Sequence, residues 1–134
     1  MSQENLAIVR DTFGRFETND PNFRDFSHWD EDVVVTPPEG WPEGGEVRGL
    51  DAWRRQTERL RDSWEEARIE IDEMDAVGDE RVVTIFRYVT RGRDGALAFD
   101  TTMGSIHTLR GDKIVRAEFF LSADDALEAA GLQE

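Results

Sequence analysis

The sequence predicts an α+β domain, with helices and strands gathered into separate stretches of the chain. Apolar residues recur at helical spacing in the first half. After Arg68 the spacing changes to strict alternation, and the alternating stretches are joined by tight glycine-bearing turns. Strands grouped in this way and linked by hairpins form an antiparallel meander rather than a parallel, helix-crossed sheet.

The first helix is expected from about Ser2 to Glu17. Leu6, Val9, Phe13 and Phe16 share a face, while Glu4, Arg10, Arg15 and Glu17 point elsewhere. Ser2 is the expected N-cap, and Asn19-Asp20-Pro21 ends the helix. A short second helix is expected over Asn22–Trp29, with Phe23, Phe26 and Trp29 on one side. Val33-Val34-Val35-Thr36 reads as a strand stopped by Pro37-Pro38. The stretch from Pro37 to Gly49 carries three prolines and four glycines and is read as an irregular loop. Trp41 stands inside it, an aromatic able to fold over the body as a lid.

The next helix is expected to start near Asp51 as N-cap. Trp53, Thr57, Leu60 and Trp64 make one inward stripe. The like-charged pairs Glu58–Asp62 and Arg55–Arg59 oppose that helix, so the stripe must hold it. Ile69 and Ile71 then alternate with Glu70 and Asp72, and Ala76–Asp79 turns into a β-branched and aromatic strand, Arg81–Arg91. Gly92-Arg93-Asp94-Gly95 is a hairpin turn into Ala96–Leu109, and Arg110-Gly111-Asp112 turns into Lys113–Leu121. Ser122 with Asp125 forms a capping box for a last helix, Ala123–Ala130, with Gly131 at C′. Neither a repeat nor a linker divides residues 1–134, so a single domain is expected.

Composition narrows the function. The chain has 134 residues, 38% hydrophobic, with 16 basic and 30 acidic side chains and a net charge of −14. Eight Phe and four Trp indicate a folded core rather than an acidic tail. The negative charge repels phosphate backbones and anionic bilayers, so neither nucleic acid nor membrane is expected as a partner. No apolar run is long enough to span a bilayer, and Met1-Ser2-Gln3-Glu4-Asn5 lacks the basic and apolar regions of a secretory signal. With no cysteine, disulfides, thiolate metal sites and Cys nucleophiles are excluded, which fits a reducing, cytoplasmic setting. The two histidines have no ligand spacing, and there is no phosphate-cradling loop or Gly-x-Ser-x-Gly elbow. No metal and no cofactor is therefore expected.

Several stretches resemble the SnoaL-like branch of the nuclear transport factor 2-like superfamily. They are Glu4–Arg10 with Phe13 and Phe16, then Trp29–Val33, Arg48–Trp53 and Ala76–Asp79. The most telling is His107-Thr108-Leu109-Arg110-Gly111-Asp112-Lys113-Ile114-Val115-Arg116, leading to Ala126–Leu132. Their order and spacing, more than any one motif, carry the resemblance. It implies a cone-shaped, six-stranded curved antiparallel sheet wrapped around a long N-terminal helix, the cystatin-like α+β barrel shared by ketosteroid isomerase, scytalone dehydratase and limonene epoxide hydrolase. It also implies a pocket at the open end and homodimers through the outer sheet face. Arg81–Arg91 has bulky apolar residues on both faces, which agrees with burial in a homodimer.

Strand parity places the candidate site. In Ala96–Leu109 the odd positions, including Met103, Ser105 and His107, are bulkier and should face the hollow, with Asp100 outward. In the last strand Ala117, Phe119 and Leu121 look inward and Glu118 outward. Ketosteroid isomerase works with an Asp base and a Tyr and a protonated Asp as oxyanion donors. Carried across by resemblance, these fall at Thr36 or Pro37, near Thr12 or Phe13, and at Ser105, so none survives. His107 is left as the acid/base candidate, with Ser105 or Arg87 to polarise a substrate; Arg87 and Tyr88 point to opposite faces. His28 is expected to face solvent. Phe13, Phe16, Trp29, Trp41, Trp53, Tyr88, Met103, Phe119 and Leu121 are the candidate ligand-binding residues. The expected ligand is a small, mostly apolar organic molecule. The expected activity is that of a cofactor-free isomerase, cyclase, dehydratase or hydrolase, the alternative being a non-catalytic binding or dimerisation module.

Overall fold

Apolar stripes and alternation become elements in the order the sequence suggests. The structure is a computed structural model, and it describes residues 2–16, 25–39, 45–92 and 94–132. Helix α1 (Ser2–Arg15) buries Val9 and Phe13 against the sheet. The amide of Asn5, also buried, donates to the carbonyl of Asp79 at 2.9 Å and ties the helix to a hairpin turn. Helix α2 (Leu50–Asp62) buries Trp53, Gln56 and Thr57.

Six strands form one curled sheet: β1 (Trp29–Thr36), β2 (Val47–Arg48), β3 (Glu66–Val77), β4 (Arg81–Arg91), β5 (Leu97–Arg110) and β6 (Lys113–Phe120). Their spatial order is β2-β1-β6-β5-β4-β3. The last four make the expected antiparallel meander. The sheet as a whole is mixed, because β1 runs parallel to β6, with Val35 opposite Ala117. The chain between those two strands includes α2 and four strands, ample length for the crossover a parallel pair requires. Helix α3 (Ala123–Ala129) closes the chain, with the Ser122 hydroxyl accepting from the Asp125 N–H as the capping pattern predicts.

Two expected features are corrected. No helix reaches Trp29. The Asp25 carboxylate accepts from the Ser27 N–H, the Trp29 N–H donates to the Phe26 carbonyl, and Trp29 then opens β1 opposite Ile114. An Asx turn beside an aromatic and valine-rich run favours extension over a helical turn. Residues 22–24 lie outside the described residues. Asp51 is not the cap of α2 either. That place falls to Gly49, whose φ of +91° only glycine adopts easily and whose carbonyl accepts from the Trp53 N–H. Asp51 sits in the first turn, where its charge favours the helix dipole.

The sheet carries a packed layer on each side. The inner cluster joins Val9, Phe13, Trp53, Phe86, Met103 and Leu109 with Val33 and Val35. The outer cluster is smaller: Val83, Ile85 and Ile106 under Ala126 and Ala130 of the α3 end. In β3 the register slips between Ile71 and Glu73, so the inward series passes from Ile69 and Ile71 to Met74.

Candidate functional site

On the inner face, cross-strand pairing lines up the residues that matter. His107 of β5 sits between Val82 of β4 and Ala117 of β6, and one step along Ser105 sits between Thr84 and Phe119. The parity of β5 holds from Phe99 to Thr108, which points Met103, Ser105 and His107 inward. A cavity of about 100 Å³ lies between this face and the helices. Phe13 and Phe16 from α1, Trp29 from β1 and Trp53 from α2 line it. Tyr88, Met103, His107 and Phe119 line it from the sheet. Among the described residues no Asp, Glu, Lys or Arg does so.

His107 is the chemically distinctive group. Its side chain is buried, 2% exposed, with Phe13, Trp29 and Phe119 presented edge-on to the imidazole at 5.5, 6.0 and 5.9 Å between ring centres. Burial alone pushes its pKa down to about 4, so the ring is neutral at pH 7. Its Nδ1 is 3.4 Å from the Ser105 hydroxyl oxygen. That hydroxyl is fully buried and has no other partner among the described residues, and which of the two atoms donates follows the tautomer of the ring. A hydroxyl that donates to Nδ1 leaves the proton of the neutral ring on Nε2. Tyr88 is neutral as well. Burial raises its pKa to about 12 against a smaller lowering by Trp64 and Arg61. The Trp64 indole N–H acts on that hydroxyl electrostatically but has no hydrogen-bond partner of good geometry.

Arg87 is corrected. It lies on the outer face, exposed, with its Nε and one terminal nitrogen on the two carboxylate oxygens of Asp100 at 2.7 and 2.6 Å and Glu70 at 3.7 Å. The same alternation that brings Tyr88 in sends Arg87 out. Leu121 is corrected too. It follows the last residue of β6, is 42% exposed, and does not line the cavity. Once the strand ends, parity no longer aims its side chain. Ser105 stands behind His107 rather than on the cavity wall. Trp41 lies outside the described residues. His28 does not simply face solvent. Half-buried, it places Nε2 2.9 Å from the Asp11 carboxylate, which also holds Arg15 at 2.6 Å.

The sequence reading passed over Gln56, which lines the cavity and is only 7% exposed. It stands three residues after Trp53 and four before Leu60, on the inward stripe itself. A polar residue at an inward helical position was the available signal. A smaller cavity of about 30 Å³ shares Thr12, Phe16, Trp29 and Trp53 with the first and is bounded also by Arg15, Asp25 and Arg61. Its cations are committed within the protein. Arg15 binds Asp11 and Asp25, and Arg61 donates to the carbonyls of Arg15 and Phe16. Among the described residues no cluster of three His, Asp or Glu side chains is placed to hold a metal ion, and no helix is long and apolar enough to cross a membrane.

A curled six-stranded sheet with helices on its hollow side and a short helix behind defines an α+β fold of the nuclear transport factor 2-like class. The chain belongs to the SnoaL-like domain family, whose model matches residues 9–117. Solved structures agree on the fold. A protein with a ketosteroid isomerase-like fold from Catenulispora acidiphila, crystallised with trimethylamine, is 17% identical over 94% of this chain and 93% of its own, with a TM-score of 0.71. TerC, co-crystallised with polyporic acid, is 20% identical over 96% and 98%, with a TM-score of 0.71. The epoxide hydrolase/cyclase-like enzyme SalBIII, of pyran ring formation in the polyether salinomycin, is 18% identical over 92% and 94%, with a TM-score of 0.72. No match was found among curated proteins. At these identities the likeness is one of fold.

Proposed function

We propose that this protein binds a small, mostly apolar organic molecule in the cavity, and that His107 is the group that acts on the polar atom of that molecule. The observation that carries the reading is a neutral, fully buried imidazole on the wall of an aromatic hollow that has no charged lining. Aromatic walls exclude water, and a hydrogen bond from Nε2 then acts in a medium where it is strong. Such a bond polarises a carbonyl or steadies a developing oxyanion, and the same nitrogen relays a proton during isomerisation, cyclisation or hydrolysis without a cofactor. Two neighbours of the same fold were crystallised with small molecules, trimethylamine and polyporic acid, which supports small-molecule binding.

One observation favours a second reading, a non-catalytic binding module. Among the described residues the imidazole has no carboxylate or cation beside it, and its shift comes from burial alone. The two readings separate by experiment. Uncharged one- and two-ring compounds are screened by ligand-observed NMR against wild type and against Val35→Trp, which fills the cavity, with circular dichroism confirming the fold. Binding to wild type that disappears in the filled variant is expected. No binding, or binding indifferent to Val35→Trp, contradicts the site. If a bound compound is turned over, His107→Ala should abolish turnover. Undiminished turnover would take His107 out of the chemistry.

A further inference from the structure

We propose that Gln56 is a specificity-determining residue, a second polar anchor on the helix wall of the cavity. With His107 on the sheet wall, it would select an uncharged ligand bearing polar atoms on two sides of an apolar body. This rests on the reading of the cavity as a binding site given above, and extends it to the kind of ligand taken.

Gln56 is set apart by what it lacks. It is 93% buried by its 7% exposure, yet its carboxamide makes no hydrogen bond with any described residue. Neighbouring polar side chains of α1 and α2 have partners. Asn5 reaches the Asp79 carbonyl, Thr12 the Val9 carbonyl and Thr57 the Arg54 carbonyl. Trp53 Nε1 is also unpartnered, but it is sealed within the packed wall. Gln56 lines the cavity and follows Trp53 by three residues on the same helix, so a molecule held there lies within reach of its carboxamide. A primary carboxamide left unpaired in an apolar wall is disfavoured. It offers an N–H donor and a carbonyl acceptor at one tip, the equipment for holding a hydroxyl or a carbonyl.

The rest of the lining sets the ligand's charge. No ionised side chain faces the cavity among the described residues, and the whole chain carries −14. A carboxylate would enter with no cation to meet it and against the protein's field. An ammonium would find aromatic faces but no counter-charge. A neutral molecule uses all that is present: the walls for its rings, Nε2–H of His107 for one oxygen and the Gln56 amide for another.

The test uses three probes of nearly equal shape, 6-hydroxy-1-tetralone, 1-tetralone and tetralin, with two, one and no polar atoms. Affinities are measured by calorimetry near pH 6, where the phenol is un-ionised. Wild type should bind the hydroxytetralone about ten-fold more tightly than tetralone, and tetralone more tightly than tetralin. Gln56→Leu should erase the first preference and keep the second; Gln56→Met, closer in length, serves if the leucine variant does not fold. A hydroxytetralone preference that survives these substitutions overturns the role of Gln56. Equal binding of all three by wild type overturns the selection while leaving the cavity a binding site. Binding of none defeats the site and this inference together.

Discussion

Strands β4 and β5 send alternate side chains into two different environments. Inward go Val82, Phe86, Tyr88, Met103 and His107; outward go Val83, Ile85, Gly104 and Ile106. The inward set is the bulkier, yet the cavity is on its side. The outward set is small and is pressed directly against α3: a Cβ on Gly104 would stand 2.3 Å from that of Ala126. Side-chain volume therefore does not decide which face is full. On the outer face a missing side chain lets a short helix sit on the backbone, while on the inner face large rings bridge between sheet and helices and leave a hollow among them. Further along the outer face, beyond α3, Arg87 and Asp100 meet at the surface in place of apolar packing. On the outer face of Arg81–Arg91, Val83 and Ile85 pack under the end of α3.

The contrast can be broken at either face. The largest effect should come from the inner one. The folded protein holds His107 neutral down to about pH 4, whereas an unfolded chain takes up the proton near 6.5. Stability from this residue is therefore complete above pH 6.5 and is lost as pH falls towards 4, by about 3 kcal/mol in all. Urea denaturation as a function of pH should show that loss, and His107→Leu should remove it; parallel profiles for the two proteins would mean that the ring is not sealed from water. On the outer face, Gly104→Ala forces α3 away from the sheet and should cost about 2 kcal/mol, whereas alanine at an open glycine such as Gly14 leaves no such clash. Removing the α3 cap by Ser122→Ala should cost about 1 kcal/mol, read as a lower denaturation midpoint. Arg87→Gln should leave the midpoint and ligand affinity almost unchanged, since the pair it breaks is exposed. A loss as large as that of Ser122→Ala would show that the surface pair does more.

Much of this was legible in the sequence, and the failures have physical causes. The long meander strands were readable because alternation and turn glycines agree, and β4 falls on Arg81–Arg91 as expected. The place of His107, Ser105 and Met103 followed from parity because no bulge interrupts β5 between them. Parity could not settle Arg87 against Tyr88, since both are long and amphipathic and register with β5 decides which turns in. The helix expected to end at Trp29 failed because spacing of aromatics over so few residues fits either period. The parallel pairing of β1 with β6 was hidden because it depends on residues far apart in the chain. Gln56 was hidden because Thr57 fills the i+4 place after Trp53 on the inward stripe, and the polarity of the adjoining Gln56 made it look like surface.

One ring, kept dry and uncharged beside the hollow, underlies the proposed chemistry. In a His28→Asn variant His107 is the sole imidazole, and its carbon and nitrogen signals can be followed by NMR through an acid titration. They should keep their neutral positions at pH 6, with the proton on Nε2, and move only as the pH approaches about 4. A midpoint at the ordinary value of 6.5 would contradict it, because the ring would then be standing in water.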